Sequence, residues 1–217
     1  VTDEEDVARA IAEVIAVYGR LDVVIANAGF AVSGRIENLS AKDWRRQLDT
    51  NVVGLAMTAR YAMPHLRKQK GRLVLIGSVA SVLSTPGVGA YAASKFAVRA
   101  IGQALSMEMA GSGVSCTTIL PGFVESEISQ VDNQGVHHKG RPDGRPQKLM
   151  WKAEDAARVC IDAIHARKRE FVFTGHGKIG VFFGMHFPGF VPFVLARTGM
   201  SKGLDREAKK KHARGPA

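Results

Sequence analysis

Cysteine is scarce in this sequence: Cys116 and Cys160 are the only two among 217 residues. Both sit in apolar patterns, and neither has a neighbour at metal-ligand spacing. A disulfide framework is excluded, and plain core packing in a reducing compartment is expected. No signal-peptide pattern opens the chain, which points to a cytoplasmic protein. The apolar stretch Ile179–Leu195 spans seventeen residues and is broken by Pro188 and Pro192, so it is too short and too interrupted to cross a bilayer. Zinc-finger spacing, a helix-turn-helix signature and aromatic-studded basic strands are all lacking, and no nucleic-acid partner is expected. The adjacent His137 and His138 have no further ligands at metal spacing and are read as solvent-exposed, with no metal.

What is present is ordinary for a globular chain: 46% apolar and 23% charged residues, enough for one domain with a sizeable core. The net charge is +10, part of it in the runs Arg167-Lys168-Arg169 and Lys209–Arg214. Such runs either stay solvated or meet an anionic surface. Residues 179–195 could wall an apolar pocket, cover a partner subunit, or lie in a membrane interface with the basic tail beside them. Peripheral membrane contact through 179–214 is therefore left open. The chain divides into a main unit, 1–178, and an apolar, basic-tailed segment, 179–217.

Hydrophobic periodicity places helices and strands in alternation. Asp3 caps a helix over 3–18 that Gly19 closes. Residues 21–26 read as a buried strand, followed directly by Asn27-Ala28-Gly29. Ser40 caps a long helix over 41–68 with Trp44, Leu48, Val52, Leu55 and Tyr61 facing inward. A strand over 72–78, a helix over 89–110, a strand over 114–120, a helix over 153–168 and a strand over 170–174 complete the pattern. Residues 127–150 are polar and rich in glycine and proline, as in a mobile loop.

Tyr91 and Lys95 stand one turn apart on the same face of the 89–110 helix. A fixed ammonium beside a phenol favours phenolate, so Lys95 is expected to draw the Tyr91 pKa down from about 10 toward neutrality, where general acid–base chemistry works. Ser78, thirteen positions before Tyr91, ends a strand and can hydrogen-bond the oxygen that gains or loses the proton. Tyr-x-x-x-Lys by itself also fits a surface tyrosine beside a solvated lysine.

The block Leu73–Lys95, together with Asn27-Ala28-Gly29, Asn51 and Pro121-Gly122, resembles the short-chain dehydrogenases/reductases in order and spacing, over almost the whole chain to about Phe173. The resemblance implies an α/β, Rossmann-like, doubly wound parallel sheet and a catalytic set of Asn51, Ser78, Tyr91 and Lys95. In it Tyr91 exchanges the proton, Lys95 also holds the nicotinamide ribose, and the Asn51 backbone carbonyl holds a water that links Lys95 to solvent. Asn27, Ala28, Gly29, Tyr91, Lys95, Pro121, Gly122 and Val124 are implied to contact the cofactor. Ser126 stands where the family usually has a threonine against the nicotinamide amide. Asp3 falls at the tail of the adenine-pocket segment. The 89–110 helix and the one before it are implied to form a homodimer or homotetramer interface, and 127–150 a substrate lid.

The family's glycine-rich turn, which seats the pyrophosphate at a helix N-terminus, does not occur in these residues. The expectation is an N-terminally truncated sheet, its first three strands absent and the edge of strand 21–26 left unpaired and apolar. A truncated product or partial reading frame is inferred, against a genuine short variant that borrows its edge from a partner. The residue that selects NAD or NADP is among those absent, and NADP is taken slightly ahead. The implied activity is NAD(P)-dependent interconversion of a ketone and a secondary alcohol on a hydrophobic, lipid- or steroid-like substrate. The alternative is a non-catalytic subunit or fragment unable to bind cofactor unaided.

Overall fold

Four short strands run parallel in the order of the chain: β1 (Val23–Ala26), β2 (Arg72–Ile76), β3 (Ser115–Ile119) and β4 (Glu170–Phe171). They belong to a computed structural model that describes residues 1–197. The basic run Lys209–Arg214 lies outside the described residues. The register pairs Val24 with Leu73, Leu73 with Cys116 and Thr118 with Glu170. Parallel strands need crossovers, and the intervening helices supply them on both faces of the sheet. On one face, Leu73 and Leu75 pack with helices α1 (Glu4–Tyr18), α3 (Gly54–Gln69) and α4 (Gly89–Glu108). On the other, Val74 and Ile119 meet α5 (Ala153–His165). This alternation along β2 makes the architecture doubly wound, as expected.

β1 stands at one end of the sheet among the described residues, and its Val23 and Ile25 side chains are 41% and 50% exposed. The strand expected to be buried is therefore half-exposed: Val24 and Ala26 pack inward, and Val23 and Ile25 lie on an uncovered face.

Two expectations about local structure change. The long helix predicted over 41–68 is two helices, α2 (Ala41–Leu48) and α3, joined by a π-helical turn at Asp49–Val53. The extra residue in that turn rotates the inward face. Gln47, Asn51, Leu55, Ala59, Ala62 and Leu66 are buried, whereas the Tyr61 hydroxyl donates instead to Glu4 on α1 at 2.7 Å. The last strand is only two residues long. The apolar stretch 179–195 lies in α6 (Gly175–His186) and α7 (Phe190–Arg197), joined by the turn at Phe187–Gly189. No helix among the described residues is long and apolar enough to cross a membrane.

The small residues of α4 serve the interior first. Ala90, Ala92 and Gly102 are buried, and a Cβ placed on Gly102 would overlap Thr118 Oγ1 while lying 3.4 Å from Leu75 Cδ1. Overpacking of this kind costs about 1–3 kcal/mol. That outweighs the helix-propensity gain of up to about 1 kcal/mol for replacing glycine by alanine. Gly102→Ala should therefore lower stability, read as a lower urea midpoint at unchanged slope.

Candidate active site

The C-terminal ends of β1, β2 and β3 lie side by side, and the chain leaves each through a small or polar turn: Asn27-Ala28-Gly29, Gly77-Ser78 and Pro121-Gly122. In an open parallel sheet this edge is where ligands bind. A cavity of about 360 Å³ opens there. Ser78, Tyr91, Pro121 and Gly122 line it, with Ala31, Val79, Leu83, Val88, Phe123, Ile128 and Val131 as its apolar wall. Asn133, Arg141, Arg145 and His176 add polar groups.

Ser78 begins a single helical turn, Val79–Ser81. Its hydroxyl accepts from the Ala80 amide at 3.1 Å, and its own amide donates to Ser81 Oγ at 3.1 Å. That brace fixes the hydroxyl at the cavity wall. Tyr91 enters from the first turn of α4. Burial pushes its phenol above the ordinary value, opposed by a hydrogen bond with Ser78 and by the charge of Arg145. The expected downward shift from Lys95 is therefore overturned. The two residues do share a helix face, but the Lys95 Nζ lies 5.7 Å from the Tyr91 ring centre and donates to the Ile76 carbonyl at 2.7 Å. The lysine passes behind the tyrosine to the end of β2, and desolvation dominates the phenol. Burial likewise pulls Lys95 itself down to about 8.

Asn51, in the π-helical turn, is buried. Its Nδ2 donates to the Phe30 carbonyl and to Ser94 Oγ, both at 3.1 Å, and its Oδ1 accepts from the Phe30 amide at 3.2 Å. Gln47, one turn earlier, accepts from the Val32 amide at 2.6 Å and donates to the Phe30 carbonyl at 3.0 Å. Together the two amides satisfy the backbone of the segment after β1. π-Helical turns recur at functional sites because the inserted residue re-aims a side chain. Here it aims Asn51 at the loop.

The turn Asn27–Gly29 is exposed, and a Cβ at Gly29 would lie 3.2 Å from Asn51 Oδ1 and 3.7 Å from Lys95 Nζ. It therefore adjoins the lysine without lining the cavity. Val124 and Ser126 are held by Arg145, whose guanidinium donates to the Val124 carbonyl at 3.0 Å, to Ser126 Oγ at 3.2 Å and to the Ser126 carbonyl at 3.1 Å. The same guanidinium is paired with Asp143 at 2.6 Å. Asp3 is exposed and caps α1 by accepting from the Asp6 amide at 3.0 Å. It stands apart from the cavity lining. His137 and His138 are exposed as expected, beside Glu127 at 3.7 Å and Asp132 at 2.7 Å.

Two residues escaped the sequence reading. Arg145 sits in a polar loop without periodicity. His176 lies in a Gly-His-Gly context that carried no signal. Its ring stacks on Phe123 with centres 5.1 Å apart, and its Nε2 accepts from the Phe123 amide at 3.1 Å. That bond requires the neutral ring with its proton on Nδ1, and burial holds the His176 pKa below its ordinary value. A Cβ at Gly122 would overlap both His176 Nε2 and Thr174 Oγ1. The Pro121–Phe123 turn is thus clamped from α6.

Among known families, a model described as short chain dehydrogenase matches residues 1–137. An uncharacterized oxidoreductase of Staphylococcus aureus (strain USA300) is 31% identical over 168 residues, which cover 77% of this chain and 73% of that protein. A short-chain dehydrogenase/reductase from Burkholderia phymatum, solved in complex with NAD, aligns at 25% identity with a TM-score of 0.69, covering 79% of this chain and 67% of that one. An alcohol dehydrogenase from the archaeon Thermococcus sibiricus, solved with 5-hydroxy-NADP, shares the fold at 22% identity and a TM-score of 0.66, covering 80% and 71%.

Two measurements test the electrostatics of this cavity. Lys95 has a folded pKa near 8 against an ordinary 10.5. The unfolded chain therefore binds the extra proton between those values, and this group's contribution to stability grows as pH rises from 8 to 10.5. The buried thiols Cys116 and Cys160, pushed up to about 12 and 11, act in the opposite direction but are common to both proteins compared. The stability of wild type relative to Lys95→Met should rise across that window in urea titrations; a flat difference would contradict a buried ammonium. For His176, the depressed pKa means that its contribution is present above the ordinary 6.5 and is lost as pH falls. His176→Ala should cost about 1 kcal/mol by leaving the Phe123 amide without its acceptor, and His176→Gln, which can accept the same bond, should recover part of it.

Proposed function

The chain belongs to the short-chain dehydrogenase family, and from that premise we propose that it interconverts a ketone and a secondary alcohol with a nicotinamide cofactor, Tyr91 moving the proton. The observation that carries the reading is the meeting of Ser78 and Tyr91 at the wall of an apolar cavity, with the Lys95 ammonium buried directly behind them.

The residues fit the nicotinamide half of such a cofactor. Lys95 Nζ is 6% exposed as a residue and has one protein acceptor, Ile76, for three N–H donors. Buried donors without partners are costly, and the hydroxyls of a ribose would satisfy them. The open turn Asn27-Ala28-Gly29 adjoins that ammonium, the clamped Pro121-Gly122 turn lines the cavity after β3, and Arg145 of the cavity wall holds Val124 and Ser126. In this reading Lys95 and Tyr91 hold the ribose, and Asp3 serves the adenine end. NADP is preferred slightly to NAD.

The nicotinamide supplies or takes the hydride at the carbonyl carbon. Ser78 positions the carbonyl oxygen. Tyr91 Oη gives that oxygen its proton in reduction and takes it back in oxidation. A phenol held above its ordinary pKa stays protonated at neutral pH, which suits the donor role in reduction. Asn51 supports the relay by holding the loop beside Lys95. A cavity of about 360 Å³ with mainly aliphatic and aromatic walls fits a hydrophobic ketone of modest size.

The chain is further proposed to self-associate as a homodimer or homotetramer through α3 and α4. The outward stripe of α4, Ala93, Phe96, Ala100, Gln103 and Met107, keeps helical spacing and leaves Phe96 and Met107 exposed.

NADPH and NADH fluorescence titrations, followed by turnover of apolar ketones, test the reading. Tyr91→Phe should lower kcat by roughly 10²–10⁴ and weaken cofactor affinity far less, by the loss of a single hydrogen bond to the ribose. Lys95→Met should weaken both. A Tyr91→Phe variant that turns over like wild type sinks the proposal.

A further inference from the structure

We propose that the exposed aromatic face of α6 and α7 docks on an anionic lipid surface. Both helices leave large apolar side chains in solvent: Ile179, Phe182, Met185, Phe187, Phe190 and Phe193, each between 48% and 62% exposed. A contiguous patch of this kind marks an interaction site. On the inner side, α6 packs through Val181 and two glycines, and a Cβ at Gly180 or Gly184 would lie 3.2 Å from Leu83 or 3.0 Å from Val82. The aromatic rings thus face away from the protein.

Three observations select a lipid surface as the occupant. First, none of the described residues from 179 to 194 lines the cavity beside Tyr91, so these rings do not wall it. Second, the sequence from Gly175 onward carries eight Lys and Arg against two Asp and Glu, six of the chain's ten net positive charges. Lys178 and Arg197 flank the patch, and the Arg197 guanidinium lies 3.5 Å from the centre of the Phe193 ring. Aromatic anchors bordered by cations complement anionic headgroups, whereas two copies meeting through this face would bring like charges together. Third, no helix among the described residues is long and apolar enough to cross a membrane, and short helices with an exposed aromatic side suit an in-plane arrangement.

The helices that carry the docked face share a wall with the cavity through their inner side. Leu83 lines the cavity on one side and meets Gly180 and Gly184 on the other. Thr85 lines both the cavity and the groove that holds Pro192. Docking would bring the cavity close to lipid, a direct source for a hydrophobic ketone. That use rests on the function proposed above; the docking does not.

The test is co-sedimentation of the full chain with sucrose-loaded vesicles of phosphatidylcholine, with or without phosphatidylglycerol, alongside gel filtration. Wild type should sediment with the phosphatidylglycerol vesicles, less so at high salt. The exposed triple variant Phe182→Ser/Phe187→Ser/Phe190→Ser should lose at least about tenfold in affinity while keeping its circular dichroism spectrum. Lys209→Glu/Lys210→Glu/Lys211→Glu should also weaken binding. The proposal is overturned if wild type stays in the supernatant, if the aromatic variant binds as wild type does, or if that variant loses self-association and not vesicle binding. Because vesicle binding needs neither cofactor nor turnover, a chain that docks but does not reduce ketones refutes only the catalytic reading.

Discussion

Among the described residues a single ammonium is buried, and the geometry around the cavity depends on how it is accommodated. Lys95 reaches from the first turns of α4 to the carbonyl of Ile76, the last residue of β2. That bond ties the helix carrying Tyr91 to the strand that leads to Ser78. A buried charge with one acceptor is poorly compensated, which is why its pKa falls to about 8. The same shortage of partners is what the proposed ribose contact would relieve, and in that reading stability and binding compete at this atom.

Around the ammonium, the polypeptide solves a second problem. The segment after β1 runs through the interior with its backbone amides and carbonyls in need of partners. Asn51 and Gln47 meet that need from the π-helical turn and the last turn of α2. Ser94, which bonds to Asn51, connects this network to the helix of Tyr91 and Lys95. Three chain segments far apart in sequence are thereby held in one polar cluster. On the opposite wall, His176 and Arg145 do the same for the turn after β3 and for Val124–Ser126.

The C-terminal helices carry two faces with different tasks. Their inner side closes the fold through Val181, packed with Val82 and Leu120, and through glycines that let α6 approach the 79–83 segment. Arg99 on α4, paired with Glu170 at 2.6 Å and 3.6 Å from Met185 Sδ, links this region to β4. Their outer side is aromatic and cationic. Leu83 stands between the cavity and the inner side of α6, and the aromatic patch lies on the outer side of that helix.

The alternation of apolar runs and helical periods was enough to fix the order of strands and helices, because a parallel sheet covered on both faces demands it. Tyr91 and Lys95 share a short local pattern, whereas Ser78, Asn51 and the turns at Asn27 and Pro121 were singled out by the resemblance of their order and spacing to a family. Only the tertiary structure decided what those groups experience. The Tyr91 phenol is raised and not lowered, because desolvation sums over every atom packed around it, whereas the sequence shows only the lysine one turn away. The π-helical turn escaped detection because one inserted residue barely alters a hydrophobic period. Arg145 and His176 were invisible because their partners lie 21 and 53 residues away in the chain. Local spacing reveals which chemistry a chain can carry; burial and long-range contacts set its charge states and its surfaces, because both depend on the whole of the packed interior.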